Sequence, residues 1–319
     1  AVSTPVYSVK ASPKMVLAQK DAIRKAATIL EISNQTLVKI LRQDIDKPFV
    51  YLKKRISWSV TEELKALSLE GLSFDRSYRR YYPLGEVATH VVGKTDVDDR
   101  GIEGIELSQN YSLQGKSGSR VILIDRKGNA IQNLDYVSVP VLGKDIQLSL
   151  DSRLQYLAYK ELKSAVAAHR ASTGSLVILE AKSGEILAMV NQPSYNPHNK
   201  ADMTDFSVLR NRAITDVFEP GSTVKAFTIT AALESGLFEP DTIIETSPGW
   251  MMVGPNEIRD IFNYGTLTLS KVITKSSNIG TSKIAFEIGP EPIRDVLQRV
   301  GFGEVPGTGF PGERGGVLP

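Results

Sequence analysis

From residue 151 to 233 the sequence writes a helix, two strands and a second helix, and that succession most limits what the chain can fold into. Asp151 can cap a helix, because its carboxylate can accept from the free N–H groups of a first turn. Behind it Leu154, Leu157, Ala158, Leu162, Ala165 and Val166 recur at three- and four-residue spacing, the period of an amphipathic helix. Apolar runs over 174–180 and 185–190 then flank Ala181-Lys182-Ser183-Gly184, which predicts a hairpin. A Pro-, Asn- and Ser-rich loop follows to about Asp205. Pro220-Gly221 opens the second helix, and residues 267–300 again read as helices. Helices packed on a sheet in this order give an α+β fold.

The first part of the chain is patterned differently. Residues 4–9 read as strand and 20–30 as helix, and residues 119–125 predict a hairpin with 130–134 through Lys127-Gly128-Asn129. Residues 145–150 alternate like a strand, and Pro140 and Gly143 before them suit a linker. A boundary near 145 follows, with domains over 1–145 and 146–319, as expected when 319 residues exceed what one core serves. Hydrophobic residues at 41% and charged residues at 23% are ordinary for a globular protein. A formal charge of +2 gives no electrostatic case for nucleic acid or for a membrane surface. With no cysteine and three scattered histidines, His90, His169 and His198, disulfides and thiolate metal sites are excluded, and a His-based zinc site is not expected. No run of 18 apolar residues occurs and nothing at Ala1 resembles a signal peptide. Both ends read as cuts through a longer protein.

Chemistry concentrates at Ser222-Thr223-Val224-Lys225, the only Ser-x-x-Lys in the sequence, at the start of a helix. A spacing of three puts the hydroxyl and the amine on one helix face, within reach of each other. Serine is a poor nucleophile until a base takes its proton, and a lysine can be that base where burial lowers its pKa. The helix start adds N–H groups that favour an oxyanion. The plain alternative is a capping serine beside a solvated lysine, since the pattern occurs about once by chance in a chain this long. Ser276-Ser277-Asn278 supplies a second hydroxyl that can relay a proton, and an amide that can hold a substrate backbone. Ser108-Gln109-Asn110 and Ser194-Tyr195-Asn196 share the Ser-x-Asn pattern and read as surface turns. A Lys-Ser/Thr-Gly on a strand would complete such a site. Lys116-Ser117-Gly118 and Lys182-Ser183-Gly184 both precede Ser222, the second within a hairpin turn, and neither suits that role.

These motifs together resemble penicillin-binding proteins and serine β-lactamases. Their surroundings narrow the resemblance to class B penicillin-binding proteins. The residues that carry it are Asp151-Ser-Arg-Leu-Gln155, Gly184-Glu-Ile-Leu-Ala-Met189, Pro193-Ser-Tyr-Asn-Pro197, and Arg210-Asn-Arg212 leading to Phe218-Glu-Pro-Gly-Ser-Thr-Val-Lys225. Arg79-Arg-Tyr-Tyr-Pro83 and Gly101-Ile-Glu-Gly-Ile-Glu106 resemble the non-catalytic pedestal of that class. Glu219 makes the chain more similar to the division-specific members. The resemblance implies a mixed α/β pedestal before an incomplete transpeptidase domain whose Lys-Thr-Gly strand lies beyond Pro319, so that the chain alone would be inactive. It implies a bitopic inner-membrane protein facing the periplasm, held by an anchor that precedes Ala1. Ser222 would form an acyl-enzyme with the D-Ala–D-Ala end of a peptidoglycan stem peptide or with β-lactams. Lys225 would be the base, Ser276 the relay and Asn278 a substrate contact. A glycan polymerase of the SEDS family and other division proteins would be partners through the pedestal, with no metal or organic cofactor implied. The rival readings are a β-lactamase or carboxypeptidase, with water as acceptor, and a non-catalytic penicillin receptor or division scaffold.

Overall fold

The computed structural model describes residues 1–124, 130–199 and 201–318, so the turn expected at 127–129 lies outside the described residues. The chain divides into two compact units, residues 1–213 and 214–319.

In the first unit β1 (Val2–Ala11) is the central strand, antiparallel to β2 (Val50–Ile56) on one side and to β3 (Leu72–Tyr81) on the other. Four helices pack on it: α1 (Pro13–Leu17), α2 (Lys20–Ile29), α3 (Asn34–Gln43) and α4 (Trp58–Ala66). The α2 sequence buries Ile23, Ala26, Ala27 and the following Leu30, the spacing of one helical face. Ser33 and Ser57 start α3 and α4 by accepting from Thr36 N at 3.1 Å and Val60 N at 3.3 Å. Leu37, Leu41 and Leu64 join Val9, Ala11, Leu52 and Ile56 in one core, where each fully buried aliphatic side chain contributes about 1.5–3 kcal/mol.

The short helices α5 (Thr89–Val92), α6 (Gly104–Ser108) and α7 (Asn110–Leu113) follow. The two pedestal-like segments meet here. Arg80 Nε donates to the buried Glu106 carboxylate at 2.8 Å. Gly93 and Gly104 allow this turn, both at positive φ, because a Cβ on Gly104 would lie 2.6 Å from Gly93 N. Strands β4 (Ser119–Ile124) and β5 (Ala130–Ser138) pair antiparallel, as expected.

The Asp151 cap is formed, accepting from Arg153 N at 2.8 Å and Leu154 N at 3.2 Å, and opens α8 (Ser152–Ala168). Strands β6 (Gly174–Leu179) and β7 (Ile186–Gln192) make the predicted hairpin. Buried Gln155 fastens α8 down, donating to Val87 O and Met189 O at 2.8 Å each and accepting from Met189 N at 2.9 Å. Two expectations fail. Residues 145–150 are not a strand; Ser149 Oγ and Asp151 N donate to Ile186 O and Leu187 O, and no ladder continues from them. Ser194-Tyr195-Asn196 is not a surface turn, for Tyr195 is buried and Ser194 Oγ donates to Glu86 O at 2.7 Å.

After α9 (Arg212–Thr215) the second unit is helical, with α10 (Lys225–Glu234), α11 (Leu269–Lys275), α12 (Asn278–Ile288) and α13 (Pro290–Arg299). Between α10 and α11 come β8 (Ile243–Glu245), paired with β11 (Thr266–Thr268), and the hairpin β9 (Trp250–Val253) with β10 (Asn256–Arg259). Ile229, Ala232, Phe238, Ile244, Leu267, Val272 and Ile284 form its core. Among the described residues no helix is long and apolar enough to cross a membrane.

Candidate active site

The segment carrying Ser222 is a tight turn rather than an α-helix. Gly221–Val224 forms a 3₁₀ turn entered through Gly221 at φ +62°, and α10 begins only at Lys225. The difference has a cause: Gly221, at positive φ, breaks the right-handed path just before Ser222, and Thr223 Oγ1 bonds back to Pro220 O at 2.6 Å. In a 3₁₀ turn residues three apart eclipse, so Ser222 and Lys225 still share a face. Ser222 is exposed, and its hydroxyl has no hydrogen-bond partner among the described residues.

Lys225 reaches from the start of α10 to the turn between α11 and α12. Its Nζ donates to Ser276 O at 2.6 Å and Asn278 Oδ1 at 2.6 Å, and stands 3.0 Å from Ser276 Oγ. One residue can offer both a carbonyl and a hydroxyl because Ser276 ends α11 in the left-handed conformation, φ +53° and ψ 41°. Three of the four residues singled out in the sequence therefore meet, and the fourth, Ser222, stands on the same turn as Lys225.

The α11–α12 turn is braced from two sides. Ser277 caps α12, its Oγ accepting from Gly280 N at 2.9 Å. Asn278 Nδ2 donates to Arg259 O at 2.7 Å, which leaves Oδ1 for Lys225. Asp260, just beyond β10, accepts from Ser277 Oγ at 2.6 Å, from Ile279 N at 3.1 Å and from Asn278 N. The sequence reading missed Asp260, because nothing in a lone Arg-Asp marks it. The apolar residues around Gly254-Pro255 were the available signal for the hairpin that delivers it.

Burial lowers the pKa of Lys225 below the ordinary lysine range, and the Asp260 carboxylate opposes that shift. Two of its three neighbours are carbonyl oxygens, which only accept. The third is a hydroxyl, which can accept from the ammonium or donate to the neutral amine. The arrangement thus accommodates both protonation states of Lys225. Among the described residues no group of three His, Asp or Glu could hold a metal ion.

A family model for the penicillin-binding protein dimerisation domain matches residues 1–148, and one for the penicillin-binding protein transpeptidase domain matches residues 174–319. The whole chain is 41% identical to a probable peptidoglycan D,D-transpeptidase, PbpC, of Pseudomonas aeruginosa, covering 56% of that protein. It is 38% identical to the peptidoglycan D,D-transpeptidase FtsI of Escherichia coli, covering 54% of it. The chain thus spans just over half the length of the curated relatives it matches. Among solved structures it is similar to Helicobacter pylori penicillin-binding protein PBP2 in complex with MreC, with a TM-score of 0.74 and 26% identity over 100% of this chain and 65% of that one.

Proposed function

Since the chain belongs to the class B penicillin-binding proteins, with both their dimerisation and their transpeptidase domains, we propose that it works in a peptidoglycan D,D-transpeptidase through a Ser222 acyl-enzyme. The observation that carries this reading is the Lys225 amine, partly buried and bonded to Ser276 and Asn278, at the start of α10 three residues after Ser222. In this reading Lys225, as neutral amine, takes the Ser222 proton while Oγ attacks the penultimate D-Ala carbonyl of a stem peptide. The tetrahedral intermediate collapses with cleavage of the C–N bond. The departing D-Ala amine takes a proton passed from Lys225 through Ser276 Oγ. An amine of a neighbouring stem peptide then attacks the ester, and Ser222 regains its proton. Asn278, fixed through Arg259 O, contacts the substrate backbone. A β-lactam carbonyl enters the same first step and stays as the ester.

The pedestal ends near residue 145 in this proposal, and the remainder begins the transpeptidase domain. The whole protein acts on the periplasmic face of the inner membrane during septal wall synthesis, in keeping with the resemblance to division-specific members that Glu219 carries. Protein partners dock on the pedestal, a SEDS-family glycan polymerase and division proteins among them; that a structural relative, PBP2, forms a complex with MreC supports the existence of protein partners.

Labelling the full-length protein with a fluorescent penicillin and mapping the adduct by mass spectrometry tests the assignment. The adduct is expected on Ser222 alone, and labelling that survives Ser222→Ala sinks it. Turnover of a stem-peptide thioester with an added amine acceptor separates the readings: aminolysis marks a transpeptidase, hydrolysis alone a carboxypeptidase, no turnover a receptor.

A further inference from the structure

Asp260 lies outside every motif, yet it touches the turn that meets Lys225 at three points. Its carboxylate takes the Ser277 hydroxyl and the first two free N–H groups of the eleven-residue α12, those of Asn278 and Ile279. Its own N–H donates to Gly249 O at 3.0 Å, so it is held from the β9–β10 hairpin and not from the helices it caps. Ser277 is fully buried, with its hydroxyl fixed between Asp260 and Gly280 N. A carboxylate at a helix start is ordinary capping. What sets this one apart is what it holds, for Asn278, whose N–H it takes, is the residue whose Oδ1 accepts from Lys225, and the Asp260 charge opposes the lowering of the Lys225 pKa by burial. The other groups facing Lys225 are neutral: Ser222 on its own turn, and Ser276 and Asn278 from α11 and α12. The neighbouring Arg259 side chain is paired with Glu257.

We propose that Asp260 is a positioning residue of the acyl-transfer site, whose carboxylate fixes the Ser276-Ser277-Asn278 turn against Lys225 and balances the Lys225 ammonium. The inference rests on the reading of Lys225 as the base. Its two consequences separate in mutants. Asp260→Asn keeps the size and one acceptor oxygen but removes the charge, and it presents an N–H to the buried Ser277 hydroxyl in place of an acceptor. Without the carboxylate the one charge that opposes the burial of Lys225 is gone, so the neutral amine forms at lower pH. Asp260→Glu keeps the charge but displaces the clamp by one methylene.

The test is the pH profile of fluorescent-penicillin acylation by the full-length protein and its variants, with thermal melts beside it. For Asp260→Asn the rise of rate with pH should move down by about half a unit or more, and the plateau should fall about tenfold. Asp260→Glu should lower the plateau with the midpoint in place. Ser277→Ala, which removes the clamped hydroxyl and spares the charge, should do the same. A purely structural Asp260 would lower plateaus and move no midpoint. An unmoved or raised midpoint in Asp260→Asn overturns the proposal. So does a shifted midpoint in Ser277→Ala; if the asparagine variant does not fold, Asp260→Ser takes its place, with the same downward shift expected and an unmoved midpoint overturning the proposal. Ser222→Ala and Lys225→Arg run in parallel. Full loss in both, with no shift in Asp260→Asn, sinks this inference alone; normal labelling of Lys225→Arg sinks the reading beneath it.

Discussion

Lys225 has a full set of acceptors when charged, and a hydroxyl beside it that can donate when it is neutral. Burial lowers its pKa and Asp260 counters part of that, so a neutral fraction exists at lower pH than for a free lysine. The sign for catalysis follows. A base must be neutral, so acylation should rise with pH through a midpoint below the lysine value of 10.5. Lys225→Arg keeps a positive charge that cannot be lost under ordinary conditions, and acylation should drop by orders of magnitude at every pH. Stopped-flow measurement with a chromogenic cephalosporin checks this, and a near-normal arginine variant would make Lys225 structural. Ser276 adds a cost at this scale, because a left-handed non-glycine residue is disfavoured by about 1–2 kcal/mol. That strain is held at the point where one residue must turn two oxygens toward the same amine.

At the scale of elements, the site depends on how closely α11 and α12 approach. Gly280 in α12 faces Val272 in α11, and a Cβ there would lie 2.7 Å and 2.9 Å from the two valine methyls and 3.1 Å from Ser277 Oγ. Val272 is fully buried and β-branched, so it cannot swing aside. Gly280→Ala should therefore destabilise by about 1–2 kcal/mol, overpacking outweighing the better helix propensity of alanine. Acylation should slow as well, since Ser277 is pushed with it. Adding Val272→Ala should restore both, as read by denaturant melts and labelling rates; a neutral single variant would refute the tight approach. The same elements show what a sequence can disclose. The α8 helix and the β6–β7 hairpin were readable because their signals are local: a capping Asp151, one apolar stripe, and a Ser-Gly turn between alternating runs. Strands β8 to β11 span three or four residues each, too short for a period to register. Asp260 meets Ser277 at a sequence separation of 17, and no spacing rule connects them. Residues 145–150 mislead in the other direction, alternating like a strand where only Ser149 Oγ and Asp151 N reach β7 and no ladder forms.

At the scale of the molecule, the 319-residue chain carries a pedestal with its own core and a transpeptidase hairpin of only two strands. Its curated relatives run to nearly twice this length. Two strands alone are marginal in water, and β6 leaves Val177 and Leu179 exposed at 43% and 56%. Phe218, 78% exposed beside the nucleophile turn, is likewise uncovered. The proposed mechanism also needs a second N–H aimed at the oxyanion, beside that of Ser222. Loss of one such donor typically costs about 10²–10³ in rate. Expressed by itself, then, the chain should label slowly with penicillin and lose its ordered structure first beyond residue 145. Residues 1–145 should resist longer, since the α2–α3 core and the buried Arg80–Glu106 pair lie wholly inside them. Limited proteolysis and penicillin labelling, run on this chain beside one extended to the length of its relatives, measure both effects. Should the shorter chain withstand protease past residue 145 and label as fast as the longer one, the pocket is complete without any later strand, and the oxyanion must find its second donor among the residues already present.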